Sequence, residues 1–169
     1  MRRRALATTA FLATLALTFG GVAEAATAAK ATGKVGKDPG PAGQAQCDAL
    51  AVSIDLFDNA AAGSKDPAEV KRYLTSAGTV RTVGKWRGCT FTTSGSGSSA
   101  RTVATATGVS IGDLRAATQA ECEAFAGVLD NLEDGKAAVK EEWAKELIAQ
   151  AWSTVFFTGQ AMGCSFGSA

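Results

Sequence analysis

Four segments of the chain carry apolar residues at helical spacing, and they fall into two pairs. In the first pair, an apolar stripe runs from Cys47 to Phe57. The next helix is predicted to begin at Asp66 and Pro67, because an Asp N-cap followed by Pro at the first helical position is a typical helix start. Gly78 is its predicted end. This pattern predicts a helical hairpin.

The second pair follows the same plan with longer helices. Ser110 and Asp113 fit a capping box, and the stripe that follows continues through Cys122 to Leu132. Gly135 follows an aspartate, which predicts a turn, and apolar residues four apart from Val139 to Val155 then predict the last helix. The aromatic residues of this last segment are expected to belong to the core.

The cysteines indicate an internal repeat. Cys47 and Cys89 are 42 positions apart, as are Cys122 and Cys164. A shift of 75 aligns residues 44–91 with 119–166 and gives 14 identities in 48 positions, where composition alone would give about four. The simplest disulfide scheme joins Cys47 to Cys89 and Cys122 to Cys164, and the two other pairings stay open.

These patterns divide the chain into five parts. The order is a signal peptide (1–25), a flexible N-terminal arm (26–43), a first repeat unit (44–91), a Gly/Ser/Thr-rich linker (92–108) and a second repeat unit (109–169). The fold class is mainly α, with two disulfide-bracketed helical hairpins related by the repeat and packed as a four-helix bundle. Residues 79–93 and 102–107 fit short strands, although their alternation is irregular.

The N-terminus is typical of a secretory signal. Three arginines precede an apolar run from Ala5 to Phe19, and Ala23-Glu24-Ala25 gives a cleavage pattern, with Ala26-Thr27-Ala28 as the alternative. The apolar run is too short to cross a bilayer, and we expect no transmembrane segment in the mature chain. The predicted location is extracellular or associated with the cell envelope, where an even number of cysteines indicates disulfides.

Charge narrows the classes of partner. Cleavage after Ala25 removes three arginines and one glutamate, which takes the net charge from +1 to −1, so the chain as a whole gives no argument for nucleic acid. Residues 44–91 carry six basic and five acidic side chains, whereas residues 119–166 carry three and eight. Halves of unlike charge favour packing against each other.

The chain contains no histidine, which excludes the Ser/His/Asp triad, the Cys/His pair and imidazole metal ligands. Gly108-Val109-Ser110-Ile111-Gly112 matches the GxSxG pattern of nucleophile elbows, but that motif requires a histidine. We therefore interpret Ser110 as a helix cap and expect no cofactor.

Two acidic patterns resemble functional sites. Asp130 to Gly135, followed by Glu141, imitates a calcium-binding loop between helices, although Leu132 offers no ligand oxygen at the third position, and a tight turn explains the same residues. Asp55 and Asp130 are matched by the repeat and suggest paired carboxylates, but nothing in the sequence brings them together.

The most basic stretch suggests a binding surface. It comprises Lys71, Arg72, Arg81, Lys85, Trp86 and Arg87. On one face, these residues would hold an anionic partner, with the tryptophan stacking on it. The alternative is a solvated face that also meets the acidic second unit.

The sequence therefore predicts a secreted, non-enzymatic binding or interaction protein. Its expected partner is a protein or an anionic cell-surface polymer. An inhibitor of a secreted enzyme is the main alternative, and a secreted hydrolase that uses only carboxylates is the third.

Overall fold

The elements follow a strand–helix–helix–strand order twice. The structure, a computed structural model, describes residues 27–95, 100–110 and 115–168, so the predicted signal peptide lies outside the described residues. The elements are β1 (Thr27–Ala31), α1 (Gln44–Gly63), α2 (Pro67–Trp86), β2 (Cys89–Ser94), β3 (Arg101–Ala106), α3 (Gln119–Ala138), α4 (Glu142–Ala161) and β4 (Cys164–Ser168). The described residues are mainly helical, as predicted.

The helix starts follow local capping. Asp66 caps α2 by accepting a hydrogen bond from the Ala68 backbone at 2.8 Å, with Pro67 at the first position, as predicted. The predicted helix start at Ser110 is wrong, because residues 115–118 lie outside any helix and α3 is instead capped by Thr118. Asp113 lies outside the described residues.

Two glycines predicted to end helices lie inside them. α2 continues past Gly78 to Trp86, so the strand expected from residue 79 begins only at Cys89. α3 likewise continues past Gly135, which was predicted to form a turn. Gly135 is buried against α1 instead, where an added Cβ would lie 2.9 Å from the end of the Leu56 side chain and would require that side chain to move.

Short strands form two antiparallel ribbons, one pairing β1 with β4 and the other pairing β2 with β3. The predicted looseness of the arm 26–43 is wrong for its beginning, since Thr27–Ala31 are hydrogen-bonded to β4. The predicted linker 92–108 contains the end of β2 and all of β3, and its residues 96–99 lie outside the described residues.

Each ribbon joins the two halves of the chain, which we define as residues 27–94 and 101–168. The first strand of each half pairs with the last strand of the other, and both ribbons have the same register, with Ala29 opposite Phe166 and Ala104 opposite Phe91. As a result, β1 packs on α3 and β3 packs on α1. The helices α1 and α3, like α2 and α4, begin and end 75 residues apart.

A glutamine at the start of each hairpin holds the strand that crosses over. The Gln119 side chain accepts from the Ala31 backbone N–H and donates to the Ala29 carbonyl, both at 2.9 Å. Gln44 makes the same pair of contacts, also at 2.9 Å, with the Ala106 N–H and the Ala104 carbonyl. These side-chain bonds satisfy backbone groups that a two-stranded ribbon leaves unpaired.

An aspartate binds the outer end of each crossing strand. Thr27 donates its backbone N–H to both carboxylate oxygens of Asp130, at 3.1 and 3.2 Å, and its hydroxyl at 2.5 Å. Thr102 donates its backbone N–H to both oxygens of Asp55, at 2.9 and 3.1 Å. The two aspartates therefore serve separate ribbons.

Both disulfides follow the simplest predicted scheme, Cys47–Cys89 and Cys122–Cys164. Each one ties the first turn of a hairpin to the strand that follows it. A loop of this length contributes about 4 kcal/mol in the chain-entropy model.

The buried apolar core extends through all four helices. The helices of each hairpin pack on each other, and α1 also contacts α4 while α2 contacts α3. None of the helices within the described residues is long and apolar enough to span a membrane.

Candidate functional site

The predicted basic stretch is divided between the surface and the interior. Lys71, Arg72 and Lys85 are exposed on α2. Arg81 is half-exposed and forms an ion pair with Asp58 at 2.7 Å. Arg72 lies 4.9 Å from the centre of the Tyr73 ring and donates to its hydroxyl. Three of the predicted cations are thus exposed, and a fourth, Arg81, is half-exposed and paired with Asp58.

Arg87 does not belong to this surface. It is 5 % exposed and donates to the Gly40 carbonyl at 2.7 Å and to the Thr158 hydroxyl at 3.1 Å. Burial lowers the pKa of its guanidinium, while Asp38 acts in the opposite direction. Its predicted contact with an anionic partner is wrong, because the side chain links the N-terminal arm to α4.

The outer side of α2 carries two neighbouring hollows. One, of about 660 Å³, is lined by Lys65, Pro67, Val70, Lys71, Leu74 and Thr75. The other, of about 390 Å³, lies between α2 and α3 and is lined by Thr75, Gly78, Thr79, Thr82, Val83, Trp86, Glu121, Ala124 and Phe125. Thr75 lines both hollows, so they are neighbours on α2, and we call the two together the α2 groove.

Small residues keep the α2 groove open. Thr75, Gly78 and Thr82 recur at the spacing of one helix face, and a Cβ added at Gly78 would meet no atom within 4 Å. Trp86 and Phe125 provide aromatic walls at one end, with their ring centres 6.5 Å apart. Leu74 is 53 % exposed near the other end.

The matching positions of α4 carry larger side chains than those of the α2 groove. Thr75, Gly78 and Thr82 correspond to Gln150, Ser153 and Phe157 after a shift of 75. Ala49 of α1, which corresponds to Ala124 of α3, is fully buried, whereas Ala124 in the α2 groove is partly exposed. The groove is therefore a place where the two halves differ.

Lysines lie in and beside the groove: Lys65 and Lys71 belong to its lining, and Lys85 is the neighbour of Trp86 in the chain. Lys71 and Lys85 are fourteen residues apart on nearly the same side of α2, a separation of about 21 Å along the axis. Within the described part of the chain, neither forms an ion pair.

The acidic side chain of the groove is already neutralised. Arg115 donates to Glu121 at 2.9 Å and also forms a second, shorter hydrogen bond with it. The hydrogen bonds from Arg115 lower the pKa of Glu121 to about 2. The charges left unpaired at the groove are the positive ones.

The aromatic residues of α4 do not all belong to the core. Trp143 and Phe157 are 63 % and 56 % exposed, contrary to the expectation. Trp152 stacks on Phe156 with ring centres 4.8 Å apart, and Phe156 also contacts Phe166 of β4. Trp152, Phe156 and Phe166 thus form a half-buried aromatic group where α4 meets β4.

The calcium-like pattern is not a loop. Asp130 to Gly135 lie within α3, and Asp130 is bonded to Thr27, so these residues form neither the interhelical turn that was predicted nor a loop of the calcium-binding kind. Across residues 27–95, 100–110 and 115–168, no three metal-binding side chains come together. The GxSxG pattern is described only up to Ser110, because residues 111–112 lie outside the described residues.

Comparison with protein-family models, with curated proteins and with solved structures gives no match to this chain.

Proposed function

We propose that the protein is an extracellular binding protein that holds an acidic, partly apolar protein segment in the α2 groove. The observation that carries this proposal is a shallow, largely apolar groove beside three exposed lysines, Lys65, Lys71 and Lys85, which form no ion pair within the described residues. A groove of this kind, lined by aromatic and aliphatic side chains, is typical of sites that take the apolar face of a peptide.

Charge complementarity supports an acidic partner. Lys65, Lys71 and Lys85 are exposed, and Glu121 is neutralised by Arg115. Carboxylates spaced along a bound segment would meet the lysines, while its apolar side chains fill the space beside Gly78 and Leu74.

A protein segment suits this surface better than an anionic polymer does. A polymer bound through charge alone requires a dense positive surface, whereas the lysines here are separated by apolar and hydroxyl side chains. Exposed Leu74 and half-buried Trp86 would contribute little to a polyphosphate chain. They would contribute directly to an apolar peptide.

Selection from a random peptide library displayed on phage tests the proposal. We expect the selected peptides to combine Asp or Glu with Leu, Phe or Trp, and to bind less tightly at high salt. Peptides without acidic residues would contradict the proposal. Competition by inorganic polyphosphate, with no acidic-apolar peptide selected, would replace the protein partner by a polymer.

Variants of both halves show whether the groove is the site. Thr82→Phe introduces the side chain that the matching position of the other half carries, and it should abolish binding while the protein stays folded. Phe157→Thr is the matched control and should leave binding unchanged. Equal loss of binding in both variants would contradict the assignment.

The lysines have a control of their own. Replacing Lys71 and Lys85 by Ala should weaken binding by up to about 30-fold, since each exposed ion pair contributes at most about 1 kcal/mol. Lys136 and Lys140 are exposed outside the α2 groove, and replacing both by Ala should leave peptide binding unchanged.

We also propose that the chain is exported and that it arose by duplication of one strand–helix–helix–strand unit. Disulfide bonds are typical of proteins in oxidising compartments, and the two in this chain support its export. The 75-residue offset of helices, cysteines and strand contacts supports the duplication, with the four helices packed as a pseudo-symmetric bundle.

A further inference from the structure

Two aromatic side chains on the outer side of α4 stay exposed in the fold. Trp143 is 63 % exposed and Phe157 is 56 % exposed, although burial of such large apolar side chains is strongly favourable. Together with Glu146, Gln150 and Ser153 they fall within about 80° of a helical projection. These five residues share one side of the helix, which we call the α4 face. Exposed apolar residues grouped on one surface are typical of interaction sites.

The α4 face and the α2 groove occupy equivalent places in the repeat but differ in shape and charge. A shift of 75 aligns Thr82 of the groove with Phe157, and Lys71 with Glu146. Glu146 is exposed and, within the described part of the chain, forms no ion pair. The α4 face is therefore protruding and negative where the α2 groove is open and positive, so the two surfaces complement each other.

An antiparallel pairing of the α4 face with the α2 groove of a second copy has small residues at its centre. Ser153 and Gly78 are equivalent in the repeat, and placing them opposite each other lets the two helices approach closely. Phe157 lies four residues after the serine, and Leu74 lies four residues before the glycine. In antiparallel helices both steps are about 6 Å in the same direction, so the exposed phenylalanine meets the exposed leucine.

The same register also brings opposite charges together. Glu146 lies seven residues before the central serine, and Lys85 lies seven residues after the central glycine. Each step is about 10.5 Å along its helix, so the carboxylate meets a lysine that is exposed and has no ion pair within the described residues. Thr82 and Ala149, each four residues from the centre, also lie opposite each other, and both are small.

From this complementarity we infer that the partner held by the α2 groove is α4 of a second copy of this chain. The inference rests on the proposed function of the groove and names its occupant. Because α2 and α4 each contact both α1 and α3, they lie at opposite corners of the four-helix arrangement. Each copy therefore keeps one of the two surfaces free for a third copy, and association continues head to tail.

The association is expected to be weak. One helix face packed against another buries less than the about 1,200 Å² that stable interfaces require, which corresponds to a Kd of about 0.1 to 1 mM. Protein at a few micromolar, as used for peptide titrations, is therefore monomeric, and both of its surfaces are free.

Sedimentation equilibrium of the purified, disulfide-bonded protein, from about 5 µM to about 1 mM, tests for the association. The average mass should rise with concentration and should not level off at a dimer. A monomer mass over the whole range would overturn the inference, and a plateau at the dimer mass would overturn the head-to-tail arrangement.

Two variants separate the two surfaces. Thr82→Phe fills the groove and leaves the α4 face intact, whereas Phe157→Thr removes an aromatic anchor and leaves the groove intact. Each variant alone should stay monomeric, but an equal mixture should form dimers, because one intact surface remains on each chain. Wild-type association of either variant alone, or a mixture that stays monomeric, would overturn the inference.

Charge reversal tests the register. Lys85→Glu and Glu146→Lys should each weaken association by about fivefold or more, and a chain that carries both changes should recover it. Failure of the double variant to recover would contradict the contact between these two positions.

Peptide binding distinguishes failure of this inference from failure of the proposed function. A selected acidic-apolar peptide should lower the average mass of concentrated wild-type protein, because it competes for the groove. Thr82→Phe should lose both peptide binding and self-association, whereas Phe157→Thr should lose only self-association. Tight peptide binding by a protein that stays monomeric at about 1 mM would overturn self-association and leave the groove to another partner. Absence of both activities would overturn both.

Discussion

A third disulfide between β1 and β4 would test whether the strands really cross between the halves. Ala28 and Gly167 are exposed and face each other in the ribbon. Facing Cα atoms in antiparallel pairs are about 4.5 to 5.5 Å apart, which a disulfide can bridge. The native bridges shorten the loop that the new one would close to about 55 residues, so its stabilisation is at most about 4 kcal/mol.

The assay is intact mass after alkylation, combined with unfolding in guanidinium. Ala28→Cys with Gly167→Cys should resist alkylation and unfold at higher denaturant than either single variant. The control combines Ala28→Cys with Thr92→Cys, because Thr92 is the position of the first half that matches Gly167. A bridge to position 92 and none to position 167 would refute the crossed pairing.

Three further predictions concern packing and charge. Gly159→Ala should lower the free energy of unfolding by about 1 to 3 kcal/mol, since the added Cβ would lie 2.6 Å from the Phe166 ring. Gly127→Ala, which meets nothing within 4 Å, should raise it by about 0.5 to 1 kcal/mol; equal effects in urea unfolding would contradict the packing argument. Arg87→Met should destabilise by about 1 to 2 kcal/mol less than Arg87→Ala, because an apolar side chain refills a buried site; equal losses would contradict this. Because the folded-state pKa of Glu121 is lowered, its contribution to stability is present above about pH 5 and is lost as the pH falls towards 2. The stability difference between wild type and Glu121→Gln should shrink over that range, and a constant difference would count against the ion pair.

The cysteine spacing and the Asp66 cap were sufficient to predict the disulfides and the start of α2. Both signals are local or rest on equal spacing, so they do not depend on the packing of distant segments. The helix ends predicted at Gly78 and Gly135 are wrong, because a glycine can also lie inside a helix. Gly135 lies where the Leu56 side chain of α1 packs against α3, and a single sequence does not show which segment will approach.

The internal repeat extends into the strands that cross between the halves. The same shift of 75 that aligns the cysteines also aligns residues 27–33 with 102–108, with five identities in seven positions. The residues before Gln44 are mostly small and polar, and such a composition is typical of a loose arm rather than of a strand. Pairing between strands about 135 residues apart is a tertiary property that alternation in so short a strand does not reveal.

The candidate site could be predicted only in part. Composition identified the basic stretch, but helical position decided that Lys71 and Lys85 are exposed while Arg87 is buried. The groove itself depends on small side chains near Gly78. Their role cannot be predicted from the sequence, because the hollow forms only where α3 packs next to α2.

The most direct test of the proposed function is the fluorescence of a single tryptophan. A variant with Trp143→Phe and Trp152→Phe retains only Trp86, which lines the α2 groove. Titration with a selected acidic-apolar peptide should shift its emission to shorter wavelength in a saturable manner, because the bound segment excludes water from the indole. A variant that retains only Trp143 should show no change. A shift confined to Trp143, with none at Trp86, would contradict binding in the α2 groove.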